Sequence, residues 1–162
     1  MINPKSPLAE LLNADMRAGV VEWLGVRPKR RGDMMVVDSV ALDTQAGVIG
    51  DHYSNPKRGT RHVTLIQRED IAAIASYLAQ DVTPEQLRRN IVMRGINLLA
   101  LKDKRFRLGE ALLEMTGECH PCSRMEEIFG TGGYNAVRGH GGITARVLES
   151  GMVRLGDRLT VA

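Results

Sequence analysis

The sequence is poor in aromatic residues and in cysteine. Phe, Trp and Tyr together make up 4% of the 162 residues, and the chain contains two cysteines. So few aromatic rings offer little surface on which nucleic-acid bases could stack. The net charge of +3 would help to bind a small anion, but it is too low to indicate nucleic-acid binding. We therefore expect a small-molecule ligand and no nucleic-acid partner.

Long apolar runs are also absent. No stretch reaches the roughly 18 residues that a membrane span needs, so no membrane partner is expected. The first residues lack a signal-peptide core, because Glu10, Asn13 and Asp15 interrupt them. We expect a cytoplasmic protein, with residues 1–162 forming one domain. In that compartment, closely spaced cysteines indicate reactive or metal-binding thiols before they indicate a disulfide.

Short apolar segments, many of them bounded by glycine turns, predict a mainly β fold with a few helices. Strands are expected at residues 20–26, 34–42, 61–66, 90–93, 105–108, 111–115, 143–148 and 157–161. Helices are expected at residues 7–17, at 68–79 and from Thr83, where Pro84 and Gln86 complete a capping-box pattern. This order favours a barrel-like β domain.

Cys119 and Cys122 flank a His-Pro pair at residues 120–121. Directly afterwards, Ser123 and Glu126 match a capping box, which predicts that Ser123 caps a helix reaching about Phe129. Cys122 would then precede a helix N-terminus, whose partial positive charge favours the thiolate.

Neighbouring charge strengthens that interpretation. His120 and Arg124 would add to the positive field, so Cys119, His120, Cys122 and Arg124 form the candidate catalytic group. Several alternatives stay open: buried structural cysteines, a zinc site, a thioredoxin-like redox pair, or a single reactive Cys122 that ligates a metal cofactor or carries sulfur.

Glycine is concentrated at residues 130–142, and arginine is concentrated at strand ends and in a basic run at residues 29–31. Six of the 13 residues at 130–142 are glycine, which predicts either a mobile loop or an anion-binding nest with charge from Arg138 and His140. Arginines at strand ends, namely Arg61 (beside His62), Arg88 and Arg89, are candidates for binding a phosphorylated ligand. The basic run at residues 29–31 is interpreted as a solvated loop.

Taken together, several stretches resemble the MOSC domain, the module named for the C-terminal part of molybdenum-cofactor sulfurase. The likeness runs from about residue 20 to 161 and depends on the order and spacing of its motifs. These motifs lie at residues 50–52, 61–66, 87–92, 106–109, 119–124, 138–148 and 156–157.

The resemblance implies a β-barrel-like fold and a reactive cysteine, which maps onto Cys122. In relatives this cysteine ligates molybdenum or is proposed to carry sulfur, and arginines hold the phosphate and pterin of the cofactor. The corresponding cofactor-binding candidates here are Arg61, His62, Arg89, Asn90, Arg138 and His140. Cys119 departs from relatives that have a single cysteine at this point.

Three functions remain open. One is a molybdenum-cofactor (molybdopterin) protein, as a reductase of N-hydroxylated compounds with Cys122 as the metal ligand. Another is a sulfur carrier that accepts persulfide sulfur on Cys122 from a pyridoxal-phosphate-dependent cysteine desulfurase. The third is a non-catalytic module with a structural or zinc-binding cysteine pair. The chain has no room for a flavin or iron–sulfur domain, so a reductase would need a separate electron donor. Each of the three functions is compatible with an oligomer.

Overall fold

The computed structural model describes residues 2–52 and 62–162 of the chain. Its strands are β1 (Gly19–Val26), β2 (Met35–Val37), β3 (Ser39–Asp43), β4 (Gly47–Val48), β5 (Val63–Gln67), β6 (Ile91–Arg94), β7 (Arg105–Leu108), β8 (Ala111–Glu118), β9 (Ile143–Glu149), β10 (Gly151–Arg154) and β11 (Arg158–Val161). Its α-helices are α1 (Pro7–Leu12), α2 (Arg68–Leu78), α3 (Pro84–Leu87), α4 (Ser123–Phe129) and α5 (Gly133–Val137), and a short 3-10 helix spans Leu98–Leu101.

Seven of the described strands close into a barrel. The order around it is β1, β11, β7, β8, β9, β5 and β6, and β6 pairs again with β1. Neighbouring strands are antiparallel except for β5 and β6, which are parallel. A parallel pair needs a long crossover connection, and α2 and α3 lie in that connection. The predicted mainly β, barrel-like fold is confirmed.

The prediction of one continuous strand at residues 34–42 was wrong. Two separate strands occupy the segment, because β2 pairs with β1 of the barrel whereas β3 pairs with β10 in a second, three-stranded sheet. The capping box at α3 is confirmed, since the backbone N–H of Thr83 donates to Oε1 of Gln86 at 2.8 Å. Among the described residues, no helix is long and apolar enough to cross a membrane.

Apolar side chains form two clusters, one inside the barrel and one outside it. The interior cluster contains Leu24, Leu65 and Phe106, all fully buried. In the outer cluster, Ile66 of β5 packs in the same group as Ile74 of α2 and other residues of α3, α4 and α5. Burying such side chains contributes about 1.5–3 kcal/mol each. The outer layer thereby fixes α4, and with it the segment that carries the cysteines, against the barrel.

Candidate functional site

A cleft of about 400 Å³ opens beside the segment that carries the cysteines. Its walls come from the loop after β1, the residues that follow β4, the residues that precede and begin β5, the turn between α3 and β6, and the segment from the end of β8 into α4. These parts are far apart in the sequence, so the hydrogen bonds between them determine the shape of the cleft.

Asn90 joins three of these parts through its buried side chain. Its Oδ1 accepts a hydrogen bond from the backbone N–H of Thr64 at 3.3 Å, and its Nδ2 donates to the carbonyl oxygen of Gly25 at 3.2 Å. Nδ2 also lies 3.3 Å from Oδ1 of Asp51, which in turn accepts the backbone N–H of Arg27 at 2.7 Å. Most of the hydrogen-bonding capacity of this amide is therefore used within the protein, where it holds the walls together.

Arg89 connects the next two parts. Its Nε donates to the carbonyl oxygen of Gly141 at 2.8 Å, its Nη1 to that of Leu87 at 2.9 Å, and its Nη2 to that of Cys119 at 3.4 Å. The residue is 8% exposed. A guanidinium group has five N–H donors, and three of them are directed at backbone oxygens. Arg89 thus stabilises the cysteine segment, whatever else it contacts.

The cysteines themselves differ in environment. Both are free thiols, and both line the cleft. Cys119 is 7% exposed and its backbone N–H donates to the carbonyl oxygen of Gly142 at 2.8 Å, whereas the side chain of Cys122 is exposed. The accessible thiol at the cleft is therefore that of Cys122.

The prediction that Ser123 caps the following helix was wrong by one residue. Cys122 is the N-cap of α4, and its carbonyl oxygen accepts the N–H of Met125 at 3.0 Å. The predicted capping box does not form because the Glu126 carboxylate binds the backbone N–H groups of Gly132 (2.7 Å) and Tyr134 (2.9 Å) instead.

That carboxylate also changes the interpretation of the glycine-rich segment. The N–H groups of Tyr134 and Gly132 lower the pKa of Glu126, because they stabilise its charged form. Residues 133–137 form helix α5, in which Ala136 and Val137 are buried. Neither the mobile-loop nor the anion-nest interpretation holds for residues 132–137, since a helix occupies 133–137 and the N–H groups of Gly132 and Tyr134 bind a carboxylate of the chain itself.

Arginine gives the cleft its charge. Arg27, Arg30, Arg31, Arg88 and Arg124 line it together with the buried Arg89. Asp51 and Glu127 are the acidic side chains among the described residues of the lining, and Glu127 is paired with Arg124 at 3.1 Å. The excess of positive charge suits an anionic ligand.

The basic run at residues 29–31 is part of this cleft, so its interpretation as a purely solvated loop was incomplete. Lys29, Arg30 and Arg31 are exposed, but Arg30 and Arg31 line the cleft. The loop is held there because Nη2 of Arg88 donates to the carbonyl oxygen of Gly32 at 2.6 Å. Arg88 adopts a left-handed backbone with φ of +64°, an uncommon conformation for a residue with a side chain.

The structure brings most of the predicted site residues together, but not all. The cleft lining includes Cys119, His120, Cys122, Arg124, His62, Arg89 and Asn90. Arg61 lies outside the described residues. Arg138 and His140 are not part of the lining; Nη1 of Arg138 donates to Oδ1 of Asn135 at 3.3 Å, and Nδ1 of His140 lies 2.7 Å from Oδ1 of Asp70. Direct contact of Arg138 or His140 with a ligand in this cleft has no support from their placement.

His62 is buried at one end of β5. Its Nδ1 accepts the backbone N–H of Val147 at 3.0 Å, so in the neutral ring Nε2 carries the proton. Burial lowers the pKa of His62, and the charge of Arg146 lowers it further, while Asp43 acts in the opposite direction. The ring is accordingly stabilised in its neutral form.

Several lining residues were not selected from the sequence, namely Arg27, Asp51, His52 and Thr64, whereas Arg88 was among the arginines predicted to bind a phosphorylated ligand. Asp51 and His52 lie in one of the motifs at residues 50–52, but no local pattern gave them a role. Each is brought to the cleft by contacts across long stretches of sequence, such as the bond between Arg27 Nε and His52 Nδ1 at 3.2 Å. The density of arginine at 27–31 was a signal that could have indicated Arg27.

Comparison with known proteins places the chain in a family. The MOSC domain model matches residues 50–160. No curated protein matches the sequence. The fold is similar to that of the YuaD protein from Bacillus subtilis, with a TM-score of 0.79 and 20% identity over 90% of this chain and 96% of that one.

Two further solved structures have the same fold. YiiM from Escherichia coli aligns with a TM-score of 0.68 and 20% identity, over 88% of this chain and 69% of that protein. YiiM from Geobacillus stearothermophilus aligns with a TM-score of 0.71 and 16% identity, over 89% of this chain and 75% of that protein. The match of the family model over most of the sequence, together with the barrel, shows that this chain belongs to the MOSC domain family.

Proposed function

We propose that the cleft binds a molybdenum cofactor and that the thiolate of Cys122 is a ligand to its metal. The observation that carries the proposal is an exposed thiol on the lining of a cleft rich in arginine. A thiolate is a soft ligand of the kind that thiophilic metals prefer. The arginines beside it suit the phosphate of the cofactor, because guanidinium groups bind phosphate in a fixed, bidentate geometry.

The chemistry of the donor set fits this group better than it fits zinc. In the described ranges 2–52 and 62–162, no cluster of three or more His, Cys, Asp or Glu side chains could hold a metal ion. A structural zinc site needs about four protein ligands. A metal that arrives with its own organic dithiolene ligand needs only one thiolate from the protein, and Cys122 supplies one.

The chain divides the binding between exposed and buried polar side chains. Arg30 and Arg31 are exposed and line the cleft, so they are the candidates to bind phosphate directly. Arg89 and Asn90 are buried and directed at backbone groups, so we assign them to holding the walls at the correct spacing. This division revises the prediction from resemblance, which gave Arg89 and Asn90 direct contact with the cofactor.

The reaction that we propose is the reduction of an N-hydroxylated compound to an amine and water, which consumes two electrons and two protons, with the protons drawn from solvent. The cofactor supplies the electron transfer when it is bound, and a separate electron donor supplies the electrons. The chain would bind and orient the substrate.

Retention of the pterin tests the proposal. The protein is purified from a host that makes the cofactor, and bound pterin is measured by its fluorescence after oxidation. We expect the double variant Arg30→Ala/Arg31→Ala to lose pterin by about tenfold or more, because charge-assisted hydrogen bonds contribute about 1.5–3 kcal/mol each. Arg158→Ala, on the exposed face of β11, is the matched control and should retain it. Wild-type protein without pterin, or equal loss in both variants, would contradict the proposal.

A second candidate is sulfur transfer. It is favoured by the exposure of Cys122 at the start of α4, where a partner protein can reach the thiol. Incubation with a pyridoxal-phosphate-dependent cysteine desulfurase and cysteine should then add one sulfur atom to Cys122, which mass spectrometry of the peptide would detect. An unmodified Cys122 alongside retained pterin would exclude this role and leave the cofactor proposal intact.

A further inference from the structure

A second group of polar side chains lies outside the cleft, on the surface formed by α2 and the segment before β9. Nδ1 of His140 is 2.7 Å from Oδ1 of Asp70, and Nε2 of His140 is 3.5 Å from the hydroxyl of Tyr77. The rings of Tyr77 and His140 are 5.4 Å apart and tilted by 57°. The short contact is thus the one to Asp70, in the first turn of α2.

The two residues after His140 are attached to the cleft. The carbonyl oxygen of Gly141 accepts Nε of Arg89 at 2.8 Å, and that of Gly142 accepts the backbone N–H of Cys119 at 2.8 Å. A side chain added at Gly141 would overlap the carbonyl oxygen of Cys119, so these backbones are in direct contact. Residues 140–142 therefore form a continuous connection from α2 to the cysteine segment.

We infer that the Asp70–His140 pair positions the cysteine segment, and that His140 acts through Gly141 and Gly142 rather than on a ligand. The pair anchors one end of residues 140–142 to α2, which packs on the barrel through Ile71 and Ile74. With that end released, the bonds that hold Cys119 lose part of their support. The position of Cys122, three residues further along, then becomes less defined. The consequence for a cofactor depends on the function proposed above, but the positioning itself does not.

The thiol of Cys119 provides a local measure of this positioning. The residue is 7% exposed, so opening of the segment should raise the rate at which its thiol reacts with an alkylating reagent. The rate is measured on folded, cofactor-free protein in a Cys122→Ser background, where Cys119 is the remaining thiol. We expect Asp70→Ala and His140→Ala each to raise this rate by about tenfold, because each removes the same charge-assisted bond. Combining them should give no further increase.

Two substitutions at His140 separate positioning from a general structural role. The side-chain nitrogen of Asn can occupy the place of Nδ1, whereas that of Gln reaches the place of Nε2. We therefore expect Cys119 in His140→Asn to be alkylated at a rate close to that in the parent protein. In His140→Gln, Cys119 should be alkylated as fast as in His140→Ala. Equal rates for Asn and Gln would overturn the inference, as would no acceleration in Asp70→Ala.

A variant that is destabilised elsewhere controls for global unfolding. Ile96→Val removes one methyl group from the interior cluster, at a cost typical of such core changes, and leaves α2 and the Asp70–His140 contact in place. In this variant the rate of Cys119 alkylation should stay within about twofold of the rate in the parent protein, since local opening does not require the whole domain to unfold. Acceleration by Ile96→Val as large as that by His140→Ala would show that unfolding, not positioning, exposes the thiol. Pterin retention by the parent protein is measured separately, so a failure of the cofactor proposal leaves this result interpretable.

Discussion

Arg89 donates its Nε hydrogen to the carbonyl oxygen of Gly141 across 52 residues of sequence, at 2.8 Å. The same guanidinium group reaches the carbonyl oxygen of Cys119. The buried charge therefore ties the segment before β9 to the segment that carries both cysteines. Its role in the fold can be tested independently of any ligand.

Removal of this side chain should destabilise the domain. Arg89→Ala leaves the carbonyl oxygens of Leu87, Gly141 and Cys119 without their donor, and we expect a loss of about 3 kcal/mol in the free energy of unfolding. Arg89→Lys should recover only part of it, because an ammonium group cannot reproduce the planar set of donors. Urea denaturation gives the values, with Arg158→Ala as a control expected within about 0.5 kcal/mol of wild type. An Arg89→Ala protein as stable as this control would contradict the structural role.

The close contact at Gly141 gives a second prediction. In Gly141→Ala the new methyl group would overlap the carbonyl oxygen of Cys119, so we expect a loss of about 2 kcal/mol from the strain of overpacking. Gly117→Ala is the matched control, since its methyl group would lie 3.8 Å from Oγ1 of Thr144, an ordinary contact. Thermal or urea unfolding of both variants checks the difference. Equal stability of the two variants would mean that Cys119 can move without cost.

Much of the fold could be predicted because it depends on local patterns. The apolar segment at β1, the periodic face of α2 and the capping box at Thr83 each act within a few residues. The start of α4 was misplaced because the carboxylate of Glu126 binds Gly132 and Tyr134 rather than Ser123. That competition comes from a later segment of the chain, which the capping-box pattern does not include.

The cleft was less predictable than the fold, for a related reason. Cys122 could be selected from its neighbours, but the arginines reach the cleft through bonds such as that between Arg88 and Gly32, 56 residues apart. A basic run alone does not reveal whether it faces solvent or a cleft. Similarly, the sequence of His140 beside glycines indicated ligand binding, whereas its contact with Asp70 depends on the packing of α2.

His62 makes the stability of the domain depend on pH. Burial is the main reason that its pKa is lowered in the folded protein, whereas in the unfolded chain it is about 6.5. The unfolded state therefore binds more protons just below pH 6.5, so stability should be complete above that pH and fall as the pH drops through it. The slope from this one group is at most about 1.4 kcal/mol per pH unit.

A substitution at the same position isolates this contribution. His62→Asn can keep an acceptor for the N–H of Val147 but has no titrating ring. Urea unfolding between pH 5 and 8 should show a smaller decline at the acidic end for the variant than for wild type. Measurements stay above pH 5 because three carboxylates also have lowered pKa values, namely Asp43, Glu110 and Glu126. At lower pH these groups become protonated, and their contributions to stability are lost as well. Identical pH dependence in both proteins would contradict the assignment to His62.

The central claim is that the Cys122 thiolate ligates a metal in the arginine-lined cleft, and the molybdenum content of the purified protein tests it most directly. Molybdenum per chain is measured by elemental analysis on wild type, Cys122→Ala and Arg158→Ala, all made in a host that produces the cofactor. We predict molybdenum in wild type and in Arg158→Ala, and a loss of at least about tenfold in Cys122→Ala, since changes even one shell beyond the ligands cost 10–100-fold. Wild-type protein without molybdenum, or equal amounts of metal in all three proteins, would contradict the account.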